Sequence, residues 1–294
     1  MLNQDNMILI GGAGGKTGRA IIQALHFSGI PLRAFERDHS MSESLRALGV
    51  QEVFVGDLQQ ENDLLRACEG IHTVIHIPPN MCEDELGLAT KLFAAAKKNG
   101  VKRFVYHSVL HPQIEVMAHH WQKLRVEEKL FESGLNYTIL QPAVYMQNVL
   151  AYWQQITEQK VFRIPYAFST CLGMVDLKDV AEATALVLTQ PNHAGAIYEL
   201  ANSERLTQTQ VAEILSEEIG IAVRAEKLPA DEWEKQARSS GLSQYALDTL
   251  KKMFVYYEQF GFWGNGQVLE CLLGRKPTSF RSFVRRVIED KKNE

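Results

Sequence analysis

The chain has 294 residues, 46% of them hydrophobic, and a formal net charge of -4 at pH 7. This composition is sufficient for a large core and suits one large domain or a domain with a smaller lobe. It argues against nucleic-acid binding, because the basic residues near the end are mixed with acids, as on a solvated helix face. No apolar stretch approaches the roughly 20 residues of a membrane span and no signal-peptide pattern is found, so we expect a cytoplasmic protein that does not bind membranes.

The cysteines and histidines do not follow the spacing of a metal site. The four cysteines lie far apart and form no CxxC pair. They are Cys68, Cys82, Cys171 and Cys271. This spacing predicts reduced thiols in a cytosolic protein instead of a disulfide or zinc framework. Four histidines between residues 107 and 120 lack a partner carboxylate at helical spacing, so we expect no metal.

Apolar runs alternate with helical patterns through the first half of the chain. The predicted strands cover residues 7–11, 31–36, 51–55, 72–77, 102–107 and 136–141. The predicted helices cover residues 17–28, 42–48, 60–68, 84–99 and 117–133. Such alternation predicts a parallel sheet with helices on both faces and a ligand site at the carboxyl ends of the strands.

The first predicted strand and helix enclose a glycine-rich turn. Five glycines occur within residues 11–18, directly after the apolar run 7–11 and directly before an apolar helical pattern. Glycine lets backbone N–H groups approach an anion closely, and a helix N-terminus adds about half a positive charge. This segment predicts a phosphate-binding site and favours a dinucleotide as the ligand.

Two phosphate-binding motifs match this turn in part. Gly15–Thr17 resembles the end of a Walker A loop, but the earlier glycine that this loop requires would fall at Ile10, inside the strand. The spacing of Gly12, Gly15 and Gly18 fits a variant dinucleotide fingerprint instead. In that fingerprint the first glycine makes the turn, the second admits the pyrophosphate and the third lets the helix pack on the strand. A tight turn without a ligand is the simpler alternative.

Two charged residues end the second predicted strand, where the adenosine ribose of a dinucleotide would lie. Glu36 follows Gly18 by 18 residues, close to the roughly 20 expected for a ribose-binding carboxylate, and favours NAD because it would repel a 2′-phosphate. The guanidinium of Arg37 would pair with that phosphate and favours NADP. Either side chain could also be an ordinary solvated charge.

The third predicted strand is followed by Gly56, Asp57 and Leu58. A carboxylate at this position can accept a hydrogen bond from an adenine amino group. Alternatively, Asp57 caps the helix that begins near residue 60. The residues alone leave both interpretations open.

The fifth predicted strand ends at Ser108, and the next predicted helix carries His119 and Lys123. Ser108 lies where a reacting group is expected in such a sheet, and His119 and Lys123 share a helix face. In dinucleotide oxidoreductases that use Ser, Tyr and Lys, the Tyr transfers the proton, and here His119 holds its position. Histidine can transfer protons near neutral pH. It cannot mimic a phenol whose pKa is tuned by an ammonium, so hydride chemistry is either altered here or absent. The alternative for Lys123 is a salt bridge with Glu127. The alternative for His119 is an ordinary surface or core histidine.

The alternation weakens after the sixth predicted strand. A strand at 195–200 is still distinct, and from residue 207 the pattern is mostly helical. The sequence therefore predicts an α/β fold of the Rossmann type, a doubly wound parallel sheet with a smaller, mainly helical C-terminal lobe. We assign 1–150 to the dinucleotide-binding domain, with strands at about 170–200 returning to it, and 201–294 to the smaller lobe for a substrate or partner.

Several motifs taken together resemble the NmrA-like family, an atypical branch of the short-chain dehydrogenase/reductases. They are the glycine loop, Arg37, Gly56–Leu58, Ser108–Pro112, Leu135–Pro142, Asp176–Ala181 and Leu272–Phe280. The resemblance runs from about Met7 to about Arg286, and it implies a Rossmann domain, a small C-terminal lobe and bound NADP(H) or NAD(H). Arg37 falls where many members place the arginine that meets the 2′-phosphate. We therefore expect NADP(H) to be preferred, with NAD(H) as the alternative because Glu36 departs from the pattern.

The motifs and the resemblance together imply a set of site residues. The expected cofactor-binding residues are Gly12, Gly15, Lys16, Thr17, Gly18, Glu36, Arg37, Asp57, Leu58, Pro78, Lys123, Pro142 and Val144. The expected catalytic residues are Ser108, His119 and Lys123, of which Lys123 should hydrogen-bond the nicotinamide ribose. By resemblance, the segment that follows Pro142 should pass beside the nicotinamide, with Tyr145, Met146 and Asn148 lining the substrate pocket. These three side chains could equally be helix-packing residues.

Three functions fit these residues. The first is an NADPH-dependent reductase of a small carbonyl or quinone, in which Ser108 or His119 polarises the acceptor. The second is a non-catalytic dinucleotide sensor that acts through a regulatory protein. The third is a non-redox lyase or isomerase on the same fold. The family includes both reductases and sensors, and a retained Lys123 with the Tyr missing is common to both. We expect a monomer or a homodimer.

Overall fold

The first half of the chain alternates strands and helices at the predicted positions. The computed structural model describes residues 6–292. The strands of this half are β1 (Ile8–Gly11), β2 (Leu32–Glu36), β3 (Glu52–Val55), β4 (Thr73–His76), β5 (Arg103–His107) and β6 (Tyr137–Pro142). The helices are α1 (Lys16–Leu25), α2 (Ser42–Ala47), α3 (Glu61–Ala67), α4 (Glu85–Lys98) and α5 (Ala118–Glu132).

The second half combines short strands with longer helices. Its strands are β7 (Val144–Tyr145), β8 (Val161–Ile164), β9 (Cys171–Leu172), β10 (Met174–Val175), β11 (Ala196–Leu200), β12 (Leu206–Thr207) and β13 (Arg224–Lys227). Its helices are α6 (Leu177–Thr189), α7 (Gln208–Ile219), α8 (Ala230–Ser239), α9 (Gln244–Phe260), α10 (Gln267–Leu273) and α11 (Phe280–Lys292). Between β7 and β8 lie a 3₁₀ turn, Met146–Tyr152, and a π turn, Gln155–Gln159.

One large sheet carries the N-terminal half. Within residues 6–292, seven strands form it in the order β11-β6-β5-β4-β1-β2-β3. The neighbours from β6 to β3 all pair in parallel. The chain winds outward from β1 in one direction through β2 and β3, and in the other through β4, β5 and β6. The order therefore reverses between β1 and β4, and such a switch point is where this fold class binds ligands. This architecture confirms the predicted fold class.

Apolar residues on both faces hold the sheet in place. Ile8, Leu9 and Ile10 are consecutive in β1 and all are buried, as expected for a strand covered by helices on both sides. Leu9 belongs to a cluster with Phe104 from β5 and Leu92 from α4. This packing fixes where the carboxyl ends of β1, β4 and β5 lie, and these ends carry the candidate site.

The described residues form two compact units. The first contains the chain as far as Gln113, His119–Gln141 and Val180–Tyr198. The second contains Ile114–Ala118, Pro142–Asp179 and the chain from Glu199 onward.

The second unit differs from the predicted lobe at 201–294, because it also takes in residues 114–118 and 142–179. For residues 142–179 the physical reason is strand pairing, since β8 pairs with β13 and β9 pairs with β12. Within the described residues from 207 onward the chain is mainly helical, as the sequence predicts, with β13 as a short strand. None of the helices formed by residues 6–292 has the length and apolar character required to cross a membrane.

Candidate functional site

Two glycines of the loop between β1 and α1 are required by close packing. Gly12 has a φ of +79°, and a Cβ there would lie 2.5 Å from the carbonyl oxygen of Ile77. A Cβ on Gly18 would lie 2.3 Å from the carbonyl oxygen of Gly12. Neither position can hold a side chain without moving the backbone, so these residues close the turn and seat α1 against it.

Gly15 differs because a Cβ at this position would contact almost none of the described protein. Its φ is -71°, which any residue can adopt, and the only atom of the described chain that a Cβ would approach is the Gly12 carbonyl oxygen at 3.4 Å. Gly15 is the N-cap of α1, and within the described residues no side chain caps the N–H groups of this first turn. Lys16 and Thr17 begin the helix beside this opening. The loop is a cradle that a Cβ would narrow, and it fits a pyrophosphate.

Glu36 contacts this loop directly. Its Oε1 accepts a 2.5 Å hydrogen bond from the N–H of Gly14. Burial raises the pKa of Glu36, while the hydrogen bond from Gly14 and the charge of Arg37 act in the opposite direction. Arg37 itself is exposed and forms no ion pair with any residue that the structure describes. Its guanidinium therefore remains available to a ligand.

Asp57 lies in the turn before α3. Its Oδ1 accepts a hydrogen bond from the N–H of Gln59 at 2.9 Å, whereas Gln60 is the residue at the N-cap of α3. The carboxylate therefore braces the turn and leaves lone pairs for a ligand. Leu58 is half-buried against the core, and Pro78 follows β4.

Lys123 forms a buried ion pair that the sequence does not predict. Its Nζ lies 2.8 Å and 3.1 Å from the two carboxylate oxygens of Glu85, and the side chains are 15% and 4% exposed. The hydroxyl of Tyr106 donates to the same carboxylate at 2.5 Å. Glu85 begins α4, so the pair joins α4 to α5. The predicted partner Glu127 has other hydrogen bonds.

Ser108 is bound to Glu127 in a second buried cluster. The hydroxyl of Ser108 donates to Glu127 at 2.5 Å, and the amide of Gln141 donates to both carboxylate oxygens at 2.9 Å and 3.0 Å. Burial raises the pKa of Glu127, and its hydrogen bonds and the charge of Lys123 partly offset this effect. Because the Ser108 hydroxyl already donates its hydrogen bond to Glu127, it can donate to a substrate only by breaking that bond.

His119 is half-buried, with an Nδ1 that has no hydrogen-bond partner among residues 6–292. Burial lowers its pKa to about 3, so the ring is neutral at pH 7. The sequence suggests proton transfer by His119 near neutral pH. A neutral ring can donate a hydrogen bond from one nitrogen and accept one at the other, but it lacks the extra proton that an imidazolium would give up as an acid. The adjacent His120 contributes differently, because its Nδ1 donates to the carbonyl oxygen of His111 at 3.0 Å and braces the loop after β5.

Two residues near the carboxyl ends of the strands were not predicted from the sequence. Glu85 carries no local signal, because an acid in the first turn of a helix is ordinary. His76 ends β4 and is fully buried, and neither ring nitrogen has a hydrogen-bond partner in the described part of the chain. Its ring stacks beside Tyr106 with the centroids 6.1 Å apart. Only the parallel register of β4 and β5 brings these two rings together.

The expected substrate-lining residues belong to the second unit. Tyr145 ends β7 and is half-buried, and Asn148 is exposed in the 3₁₀ turn. Met146 is fully buried, which favours the packing alternative for this residue. Pro142 and Val144 precede them, the first at the end of β6 and the second in β7.

The backbone of this segment is held by Gln147. Its amide nitrogen donates to Asp176 at 2.7 Å, and its amide oxygen accepts from the N–H of Leu177 at 3.0 Å. Arg286 donates to the other oxygen of the buried Asp176 at 2.6 Å. The turn is therefore tied to the start of α6 and to α11.

The described residues bring together no group of three or more His, Cys, Asp or Glu side chains that could hold a metal ion. The candidate site is accordingly built from the glycine loop, the charged residues after β2 and the buried polar clusters after β4 and β5.

The parallel sheet, its switch point beside β1 and the open glycine loop define a dinucleotide-binding protein of the Rossmann type. The chain belongs to the NmrA-like family, whose family model matches residues 4–284. This match confirms the resemblance found from the motifs.

Characterised relatives cover nearly the whole chain. The NAD(P)H azoreductase of Xenophilus azovorans is 27% identical over 281 residues, which are 95% of this chain and 97% of that protein. Quinone oxidoreductase 2 of Escherichia coli is 28% identical over 281 residues, with the same shares. The crystal structure of the Escherichia coli NADPH-dependent quinone oxidoreductase with NADPH has a TM-score of 0.84 at 27% identity. That match covers 96% of this chain and 100% of the other.

Proposed function

We propose that this chain is an NADPH-dependent oxidoreductase that reduces a quinone or a related small electrophile, such as a carbonyl or azo compound. The observation that carries the proposal is the space next to Gly15, where a Cβ would lie, beside the N-terminal N–H groups of α1 that no side chain of residues 6–292 caps. This space suits the pyrophosphate of a dinucleotide. The relatives that span nearly the whole chain are named as an azoreductase and a quinone oxidoreductase, which supports redox chemistry on electrophiles of this kind.

We assign residues of this chain to each part of the cofactor. The backbone from Gly12 to Gly18, including the N–H groups of Lys16 and Thr17, would hold the pyrophosphate, and exposed Arg37 would pair with the 2′-phosphate. We therefore infer that NADP(H) is preferred. NAD(H) is the alternative, because Glu36 beside Gly14 could accept a hydrogen bond from a ribose hydroxyl.

The remaining cofactor contacts come from four other places in the chain. Asp57 and Leu58 would meet the adenine, and Lys123 would bind the nicotinamide ribose. For the nicotinamide end we propose Pro78, which lies two residues after β4, and, in the second unit, Pro142 and Val144.

The bound nicotinamide supplies a hydride to the acceptor. We assign polarisation of the acceptor to His119, because its ring is neutral and has an unsatisfied nitrogen, whereas Ser108 already donates to Glu127. A hydrogen bond from a neutral imidazole stabilises negative charge as it develops on the acceptor oxygen. In the second unit, Tyr145 and Asn148 are the residues that we propose for substrate contact, and Met146 is a packing residue.

Cofactor binding and turnover can be tested separately. NADPH and NADH are titrated against the intrinsic fluorescence of the four tryptophans, and menadione and methyl red are then added while NADPH absorbance is followed. We expect saturable binding that is tighter for NADPH, and NADPH oxidation that depends on the acceptor. Binding without turnover would favour a sensor that acts through a regulatory protein. Product formed without NADPH oxidation would favour a lyase or isomerase.

We assign this activity to the cytoplasm. The four cysteines are free thiols in the described structure, which fits a reducing compartment. The substrate is then a small molecule met in that compartment, and the acting species is a monomer or a homodimer.

A further inference from the structure

Glu85 holds two side chains of the first unit at once. Its carboxylate accepts from Lys123 Nζ at 2.8 Å and 3.1 Å and from the hydroxyl of Tyr106 at 2.5 Å. The side chain of Glu85 is only 4% exposed. Lys123 Nζ also lies 5.9 Å from the centre of the Tyr106 ring, which adds a cation–π contact. The three residues come from α4, α5 and β5, so the cluster joins two helices to the sheet.

Glu85 is the counter-ion of Lys123. The titratable groups that face Lys123 are, within the described residues, His76, Cys82, Glu85, Tyr106, His107, His119, His120 and Glu127. Burial lowers the pKa of each of these four histidines to about 4 or below, so they carry no charge at pH 7. Glu127 is engaged by Ser108 and Gln141. The short contacts of Lys123 are with Glu85.

The geometry leaves Lys123 able to bind a ligand. An ammonium has three N–H donors, so two contacts with one carboxylate leave a third donor for another acceptor. Lysine has a long flexible stem, and the freedom of that stem is lost when it binds a ligand. A carboxylate that already fixes the ammonium removes this loss, and a tyrosine that fixes the carboxylate makes the arrangement more rigid.

We propose that Glu85 is a positioning residue that holds Lys123 ready for the nicotinamide ribose, with Tyr106 holding Glu85 in turn. This inference rests on the proposed function, since it requires Lys123 to meet the cofactor. It assigns a role to a residue on α4, a helix that carries none of the site residues expected from the sequence.

The test compares two ligands that share one end. NADPH reaches the nicotinamide ribose, whereas 2′,5′-ADP contains only the adenosine end and cannot reach Lys123. Calorimetry measures both dissociation constants for the wild type, Glu85→Gln, Lys123→Met and the double variant. We expect Glu85→Gln to weaken NADPH by about 10-fold and 2′,5′-ADP by less than about 2-fold. The double variant should be no weaker than Lys123→Met, because coupled residues are not additive.

Two further variants control the test. Tyr106→Phe keeps the ion pair and removes one hydrogen bond, so it should weaken NADPH by about 3-fold without affecting 2′,5′-ADP. It also keeps the proposal testable if Glu85→Gln does not fold. Glu61→Gln changes the same residue type in the first turn of α3, where it is exposed, and should alter neither ligand.

The outcomes separate this proposal from the proposed function. Equal losses for both ligands would make Glu85 merely structural, and unchanged affinities would remove its role. Tighter NADPH binding in Glu85→Gln would mean that Glu85 competes with the ribose for Lys123. Each of these three results overturns the inference and leaves the cofactor assignment intact. If the wild type binds neither ligand, the proposed function fails instead.

Discussion

We propose that Gly15 contributes to the site by leaving open the space that a side chain would fill. Its φ of -71° suits any residue, so conformational freedom is not the reason for glycine here. Gly12 and Gly18 are different, because a Cβ at either position would collide with the backbone. A substitution at Gly15 should therefore affect ligand access without affecting folding. Substitutions at Gly12 or Gly18 would affect both at once.

Gly15→Val should abolish dinucleotide binding while the protein stays folded. The added methyl groups would fill the approach of the pyrophosphate, and we expect at least about a 100-fold loss of affinity, or about 2.7 kcal/mol. Calorimetric titration with NADPH gives the affinity, and thermal unfolding of the ligand-free protein gives the stability. Unchanged affinity in a folded variant would refute the assignment of the loop.

Arg37→Ala should distinguish the two cofactors. A charge-assisted pair with a phosphate contributes about 1.5–3 kcal/mol, so NADPH should weaken by about 10- to 100-fold while NADH changes little. Arg46→Ala is a matched control, since this exposed arginine lies nearby in the chain on α2. Equal losses for NADPH and NADH would contradict a 2′-phosphate contact at Arg37.

At the scale of elements, the contact between α4 and α5 changes how Lys123 variants must be judged. From the sequence, a large fall in melting temperature for Lys123→Ala would indicate a purely structural lysine. In the structure Lys123 is paired with the buried Glu85, and removing one member of a buried pair costs about 3–5 kcal/mol whatever its function. Melting temperature alone therefore cannot decide the role of Lys123, and ligand affinities are needed.

The turn after β7 provides a prediction for the second unit. Gln147→Met removes both the donor to Asp176 and the acceptor for the N–H of Leu177. The backbone that carries Tyr145 and Asn148 then loses the two hydrogen bonds that hold it to Asp176 and Leu177. We therefore expect kcat/KM with menadione to fall by about 10-fold, equivalent to about 1.4 kcal/mol. The dissociation constant for NADPH should remain within about 2-fold of the wild type, a free-energy change of about 0.4 kcal/mol.

Gln154→Met is the matched control for this prediction. Gln154 lies in the same helical segment, but its side chain bonds only the exposed Glu158 among the described residues. Its steady-state kinetics should match the wild type. An equal loss in both variants would show that the effect comes from the segment in general and not from the tie to Asp176.

At the scale of the whole molecule, buried histidines couple stability to pH. Burial lowers the pKa of His76, His107 and His119 to about 3 and that of His120 to about 4, from an ordinary value of 6.5. Between these values and pH 6.5 the unfolded chain binds more protons than the folded chain, so stability falls as the pH falls. Glu127 acts in the opposite direction above its ordinary pKa of 4.5, because burial raises its pKa and the folded chain there binds more protons than the unfolded chain.

We expect the free energy of unfolding to decrease between pH 6.5 and pH 4.5, by up to about 1.4 kcal/mol per pH unit for each histidine. Urea unfolding at a series of pH values measures this slope. His76→Leu should reduce the slope by about the contribution of one histidine, because the variant removes a group that binds a proton in the unfolded chain but not in the folded chain. An identical slope in the variant and the wild type would contradict the buried, neutral state of His76.

The elements were predictable from the sequence, and a phosphate site can be proposed from it, because both depend on neighbours in the chain. Hydrophobic periodicity selects strand or helix locally, and the spacing of Gly12, Gly15 and Gly18 acts within a single turn. The alternation of strands and helices then leaves few topologies, since parallel strands need crossovers of one hand. The second unit was harder, because strands as short as β7 and β10 carry almost no periodic signal.

The chemistry of the site depends on folding in three dimensions. Lys123 has Glu127 four residues away, yet it pairs with Glu85, which lies 38 positions distant. Ser108 donates a hydrogen bond to Glu127, and the His119 ring is neutral, because packing removes water and brings specific partners close. The local chain order was enough to propose a dinucleotide site at the end of β1. The partner and protonation state of each polar side chain follow from desolvation and long-range contacts, which no local pattern encodes.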